Sequence, residues 1–266
     1  MTQGVLIDLS GTVYIGNTLL PRALAAIDLL HQRGIPIRYI TNTSRSPRLA
    51  IPQKLHDLGL SVPEDEIFTA PRAVADYLRS HRLSPWLLVH PAIQQEFAGL
   101  VDQQPSAVVI GDAEQGFSYA NLNQAFRLLL DGALLLAVGD TRYFKEDDGM
   151  SLDVGPFVKA LEYAAGCEAI ILGKPSSMFF HAAATRLGCR PQETVMIGDD
   201  VFSDVNGALK AGMKAVLVQT GKYRQGDERQ IRAPGACVCA DLYEAVQMLC
   251  AEQDGRATPC LRSSEA

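Results

Sequence analysis

The strongest constraint on this chain is a repeated local pattern. A short apolar run ends in a polar or charged residue, and a stretch of helical period follows. Gly4-Val5-Leu6-Ile7 ends at Asp8, and Ile35 to Ile40 ends at Thr41-Asn42. Ala169-Ile170-Ile171-Leu172 ends at Gly173-Lys174, and Thr194-Val195-Met196-Ile197 ends at Gly198-Asp199-Asp200. Lys214 to Val218 ends at Thr220-Gly221. Short continuous apolar runs read as strands buried on both faces, the habit of a parallel sheet. Between them, Leu20, Leu24, Ile27 and Leu30 recur at helical spacing, with Pro21 suited to a first turn and Gly34 to a stop. Ser176 to Leu187, closed by Gly188, and Ser203 to Ala211, closed by Gly212, read as further helices.

Strands alternating with helices make an α/β fold whose main body is a Rossmann-like, doubly wound parallel sheet. The middle of the chain interrupts it. Residues 77–168 hold three more strand candidates, Trp86 to Val89, Ala107 to Ile110 and Leu134 to Val138. Helical patterns run through Phe126, Leu129 and Leu130 and from Phe157 to Ala165. This stretch far exceeds the ~15 residues of an ordinary loop. It reads as an inserted, smaller α/β domain. The expected division is a core of 1–76 and 169–250, an insert of 77–168, and a polar, aperiodic, flexible tail of 251–266.

Composition narrows the partners. With 24 Lys plus Arg against 30 Asp plus Glu, the net charge is −6. Nucleic acid and anionic membrane both attract basic surfaces, so neither is expected as a partner. No apolar run approaches the ~20 residues of a spanning helix. The N-terminus shows no signal-peptide pattern, so a cytoplasmic location with reduced cysteines is the expectation. Cys237 and Cys239 have no metal-ligating companions in sequence, and the five histidines lack ligand spacing. A glycine-rich dinucleotide fingerprint does not follow the first strand.

The strand ends carry the chemistry. Ligands of open parallel sheets bind outside the carboxyl ends of the strands. If these strands are neighbours, Asp8, Thr41, Asn42, Lys174, Asp199, Asp200 and Asp204 converge. Thr41 and Asn42 offer a hydroxyl and an amide, and Lys174 offers a cation, a set suited to phosphate. The carboxylates would repel that anion by several kcal/mol at ~4 Å. A divalent cation resolves the conflict, and hard oxygen ligands select magnesium. Asp8, at the end of the first strand before Ser10-Gly11-Thr12, is the candidate nucleophile.

Asp8-Leu9-Ser10-Gly11-Thr12, Thr41-Asn42, Lys174-Pro175 and Gly198-Asp199-Asp200 with Asp204 resemble, in order, the four motifs of the haloacid dehalogenase-like hydrolases. The insert between the second and third motifs, and Gly221-Lys222-Tyr223, resemble subfamily IIA, which carries a type-2 α/β cap. The resemblance implies a magnesium-dependent phosphatase that forms an aspartyl phosphate on Asp8. It implies that Asp8, the Ser10 carbonyl and Asp199 hold magnesium, with Asp204 in the metal shell or just behind it and Asp200 a further candidate. It further implies that Thr41 and Asn42 hold the phosphoryl group and that Lys174 neutralises it. The cap should cover the site and select the substrate. Arg142 and Lys145, in the loop from Gly139, are its candidate contacts. Arg45 reads as a surface arginine, with a contact to phosphate or to the cap as the alternative, and Gly111-Asp112 reads as a turn within the cap. The expected partner is a small phosphorylated substrate or a phosphoprotein side chain, and the resemblance allows a homodimer.

Ser10 departs from the family pattern, which places there an aspartate that protonates the leaving group. General acid help is worth ~10²–10⁴ in rate. Phosphoramidates, pyrophosphate, and aryl and acyl phosphates should suffer least from its loss, and alkyl phosphates most. Two alternatives remain. One is a degenerate phosphate-binding protein. The other is a phosphorylatable regulatory protein like a receiver domain, although receivers place the acidic pair before the phosphorylated aspartate, the reverse of this chain.

Overall fold

The computed structural model describes residues 2–47, 49–146 and 149–255. The chain begins with β1 (Gly4–Asp8), a small hairpin of β2 (Tyr14–Ile15) and β3 (Thr18–Leu19), α1 (Ala23–Gln32) and β4 (Ile37–Thr41). It continues through α2 (Ala50–Asp57), β5 (Ile67–Thr69), α3 (Ala70–His81), β6 (Pro85–Leu88), β7 (Ala107–Ile110), α4 (Tyr119–Leu130) and β8 (Leu134–Ala137). A hairpin of β9 (Tyr143–Glu146) and β10 (Gly149–Leu152) precedes α5 (Val154–Ala165) and β11 (Ile170–Ile171). The last part holds α6 (Ser177–Leu187), β12 (Thr194–Gly198), α7 (Gly207–Lys210), β13 (Lys214–Val218), β14 (Ala236–Cys239) and α8 (Leu242–Gln253).

Two compact units result. Among the described residues, the first comprises 2–41, 52–68 and 174–255. Its six-stranded sheet has the order β14-β13-β12-β1-β4-β5. β1 lies parallel to β12 on one side and to β4 on the other, pairing Ile7 with Ile197 and Asp8 with Ile40. Every residue of β1 and β12 is buried, so both faces of the sheet are covered. The helix pairs α1 with α8 and α6 with α7 supply that cover. α6 ends where Gly188 takes a positive φ of 77°, which only glycine adopts without strain. After β1 the chain builds outward through β4 and β5. Later it returns to lay β12, β13 and β14 on the opposite side. β1 and β12 therefore flank the switch point of the sheet, where parallel α/β folds open a crevice.

The second unit comprises residues 42–51 and 69–173. Its four-stranded sheet, β11-β8-β7-β6, is parallel throughout. Val108, Ile110, Leu135 and Ala137 from the strands pack with Leu129 of α4 and with Val158 and Leu161 of α5. Phe117 and Phe157 stack with ring centroids 3.7 Å apart. α5 starts at Asp153, whose carboxylate accepts the Val154 N–H at 2.7 Å, and stops at Gly166 in the left-handed region.

Four expectations need correction. The apolar run at 169–172 does not join the first sheet. Its residues Ile170–Ile171 pair with β8 in the second. The second unit is also wider than 77–168, because α3 and residues 42–51 belong to it. α8 runs to Gln253, so 251–253 are helical, and residues 256–266 of the expected tail lie outside the described residues. Cys167, Cys189, Cys239 and Cys250 are free thiols, whereas Cys237 is disulfide-bonded. Among the described residues, no helix is long and apolar enough to cross a membrane.

Candidate active site

Asp8 closes β1 and sits opposite Ile40, so Thr41 lies one residue further along the neighbouring strand. Asp199 directly follows β12 on the other side. Both ends lie at the switch point. Asp8, Asp199 and Asp204 are 6%, 2% and 1% exposed, and each offers a carboxylate oxygen within 4.8 Å of the others. The buried Lys174 reaches into this group. Its Nζ donates to Asp8 Oδ1 at 2.5 Å and to Asp204 Oδ1 at 2.7 Å.

Asp204 is delivered by a turn of π-helix, Val201–Asn206, in place of the α-helix expected from Ser203. Asp200 caps this turn, accepting the N–H groups of Phe202 and Ser203 at 2.9 and 3.0 Å. The Asp200 N–H in turn donates to Asp204 Oδ2 at 3.2 Å. From the loop after β13, the Lys222 N–H donates to Asp199 Oδ2 at 2.6 Å, and the Thr220 hydroxyl donates to the Gly11 carbonyl at 2.5 Å. Two glycines allow this closeness. Gly11 and Gly221 have φ of +99° and +56°, and a Cβ on either would lie 2.1 Å from Asp199 Oδ2. Both the backbone sign and the contact require glycine.

The electrostatics follow from counting. Three buried carboxylates face one buried ammonium, so full ionisation leaves an excess of two negative charges. Burial and the nearby Asp8 raise the Asp199 pKa to about 6, against the lowering pull of the Lys222 N–H. Burial also raises that of Asp204, with Lys174 opposing and the other carboxylates adding to the rise. For Lys174, burial disfavours the charge, but Asp204 and Asp8 outweigh it and the pKa is raised. Asp200 is lowered, because its backbone hydrogen bonds and Lys222 outweigh burial. An all-oxygen cluster that carries a surplus of two negative charges once ionised fits a hard dication.

The structure thus brings together Asp8, Lys174, Asp199 and Asp204, with Thr41 on the adjacent strand end. Ser10 lies in the loop after β1, bridged to Tyr14, with its side chain exposed. Asn42 begins the second unit, where its side chain lies beside Gly139 and Gly173. Arg142 is exposed in that unit, its guanidinium 5.7 Å from the Tyr143 ring centroid. Lys145 falls in β9, and its side chain lies outside the described residues. Two contributions escape sequence reasoning. Lys222 acts on Asp199 through its backbone N–H, for which no side-chain pattern exists. Asp200 caps a turn whose π geometry the sequence does not announce.

Fold and site together define a class: an α/β enzyme with its carboxylates and lysine gathered at the switch point of a parallel sheet. Comparison with known proteins narrows it. The haloacid dehalogenase-like hydrolase family matches residues 5–100, and a HAD-hydrolase-like family matches residues 171–245. Haloacid dehalogenase-like hydrolase domain-containing protein 2 of Bos taurus is 44% identical over 244 residues, covering 92% of this chain and 94% of that one. Phospholysine phosphohistidine inorganic pyrophosphate phosphatase of Homo sapiens is 38% identical over 258 residues, covering 95% and 96%. Among solved structures, 4-nitrophenylphosphatase from Thermotoga maritima superposes with a TM-score of 0.84 at 26% identity, covering 92% and 97%. The chain belongs to the haloacid dehalogenase-like hydrolases.

Proposed function

We propose that this protein is a magnesium-dependent phosphatase that works through an aspartyl phosphate on Asp8 and favours substrates with good leaving groups. The observation that carries this reading is the Asp8 carboxylate, held by Lys174 at 2.5 Å within a buried group of three carboxylates. Bound magnesium would supply charge neutralisation for the carboxylates and the phosphoryl oxygens. Asp8, Asp199, Asp204 and the Ser10 carbonyl would hold it.

The chain's own residues then divide the work. Lys174 fixes Asp8 through Oδ1 and screens its charge, leaving Oδ2 to attack phosphorus. The new Oδ2–P bond forms as the bond to the leaving group breaks, and the leaving group departs with its electron pair. Thr41, Asn42 and Lys174 bind the phosphoryl oxygens, while Arg142 and Lys145 select the rest of the substrate. Water then attacks phosphorus, breaks the Oδ2–P bond and releases inorganic phosphate. Ser10 offers no carboxyl to protonate the leaving group or to activate that water, so groups that need no proton from the enzyme are favoured, either stable anions or amines whose nitrogen is already protonated in the phosphoramidate. The names of relatives support this preference, since phospholysine, phosphohistidine and pyrophosphate release nitrogen or phosphate.

The test compares p-nitrophenyl phosphate, imidodiphosphate and glucose 6-phosphate with magnesium, using Asp8→Asn as control. The sugar phosphate should be slower by about 10² or more. Equal turnover of the sugar phosphate contradicts the leaving-group argument. Ser10 also favours a second reading, a phosphate-binding protein without turnover. Magnesium-dependent hydrolysis lost in Asp8→Asn excludes that reading.

A further inference from the structure

We propose that Arg45 is a positioning residue for substrate selection, clamping the segment that carries Asn42 to the hairpin that directly follows Arg142. Sequence alone favours a surface side chain for Arg45, with a phosphate or cap contact as the alternative, and reads Gly111-Asp112 as a turn. The structure joins them. Arg45 Nε donates to Asp112 Oδ2, and its Nη1 lies 3.0 Å from Glu114 Oε1. Asp112 is 4% exposed, and its other oxygen accepts the Glu114 N–H at 3.1 Å. A carboxylate that deeply buried needs a charged partner. On its remaining side, the guanidinium lies over the Phe144 ring, 4.5 Å from the centroid. His90 Nε2 stands 3.6 Å from Glu114 Oε2, and His90 Nδ1 accepts the Ala92 N–H at 3.1 Å.

Three segments of the second unit therefore meet on one side chain. They are residues 42–47 after β4, the turn after β7, and strand β9 of the hairpin. The planar guanidinium suits this task, because it forks to carboxylates and stacks on a ring at once, whereas an ammonium does not. Asn42 lies three residues before Arg45, and Arg142 two residues before Phe144. Fixing Arg45 against Asp112 and Phe144 thus constrains both candidate substrate contacts. The inference rests on the reading that these contacts select a phosphorylated substrate.

The experiment has two arms, each applied to the full chain, Arg45→Ala, Arg45→Lys and Asp112→Asn. Hydrogen exchange of the 42–47 segment and of β9 and β10 reports the clamp without requiring activity. Steady-state kinetics on pyrophosphate with magnesium reports selection. In Arg45→Ala, exchange in both segments should accelerate about tenfold while β1 and β12 keep their protection, and KM should rise about tenfold with a smaller change in kcat. Asp112→Asn should move both readouts in the same direction, and Arg45→Lys should fall between Ala and wild type. Unchanged exchange in the hairpin overturns the clamp. Faster exchange with unchanged KM overturns the role in selection. A wild-type chain that hydrolyses no phosphate removes the phosphatase reading and the selection role with it, while exchange still decides the clamp.

Discussion

At the scale of single residues, the site is a balance between burial and charge. The raised pKa of Asp199 has two consequences. Its folded value, about 6, exceeds the ordinary carboxylate value, so in the metal-free protein it contributes stability below pH ~4 that is lost as pH rises through 6. Metal binding requires the ionised form, so protons compete with the cation. Magnesium affinity, followed by calorimetry, should therefore weaken as pH falls from 7 through 6. A magnesium affinity that stays constant over that range would contradict the raised Asp199 pKa. Glycine supplies a second residue-scale prediction. Gly11→Ala places a methyl group against the Asp199 carboxylate at positive φ, and should cost about 1–3 kcal/mol in urea unfolding. It should also weaken magnesium binding, because Asp199 must move. In the sequence these glycines stood out as turn and motif residues, without a reason for their being glycine. What makes them necessary is the meeting of the β1 and β13 loops, which no local pattern encodes.

At the scale of elements, the strand ends were readable, and the reason is physical. An apolar run that stops at Asp8, Thr41 or Asp199 marks where the buried sheet gives way to the crevice. The run at 169–172 shows where that logic ends. Ile170 and Ile171 look like any other short strand, yet they pair with β8, because sheet membership is decided by tertiary packing. Lys174 still arrives at Asp8, but through the turn that follows a strand of the other unit. The expected helix from Ser203 likewise begins as a π-helical turn, held by Asp200 at its start and by Lys174 on Asp204. Crowding supports it further on, where a Cβ on Gly207 would come within 2.9 Å of the Pro175 backbone. Asp200→Ala removes the cap from the Phe202 and Ser203 N–H groups. It should cost about 1 kcal/mol in stability and lower magnesium affinity by loosening Asp204, as thermal melts with and without magnesium would report.

At the scale of the whole molecule, the order of motifs along the chain prescribes how the sheet is built. Two strands follow Asp8 on one side and three return on the other, so that residues 8, 174, 199 and 204 share one end. The α/β class, the inserted unit and this constellation were all legible, because each depends on runs and spacings. The limits of the second unit were not, because residues 42–51 join it through side chains such as Arg45. Loss of the family's second aspartate at Ser10 has a kinetic consequence for the molecule as a catalyst. If attack by water is slowed more than attack by Asp8, phosphorylated protein accumulates. Rapid mixing of the enzyme with p-nitrophenyl phosphate and magnesium tests the account most directly, combined with acid quenching and mass spectrometry of the peptide containing Asp8. The account predicts a burst of nitrophenolate matching the enzyme concentration, with one phosphoryl group on Asp8 and none in Asp8→Asn. Magnesium-dependent turnover that persists in Asp8→Asn would contradict it.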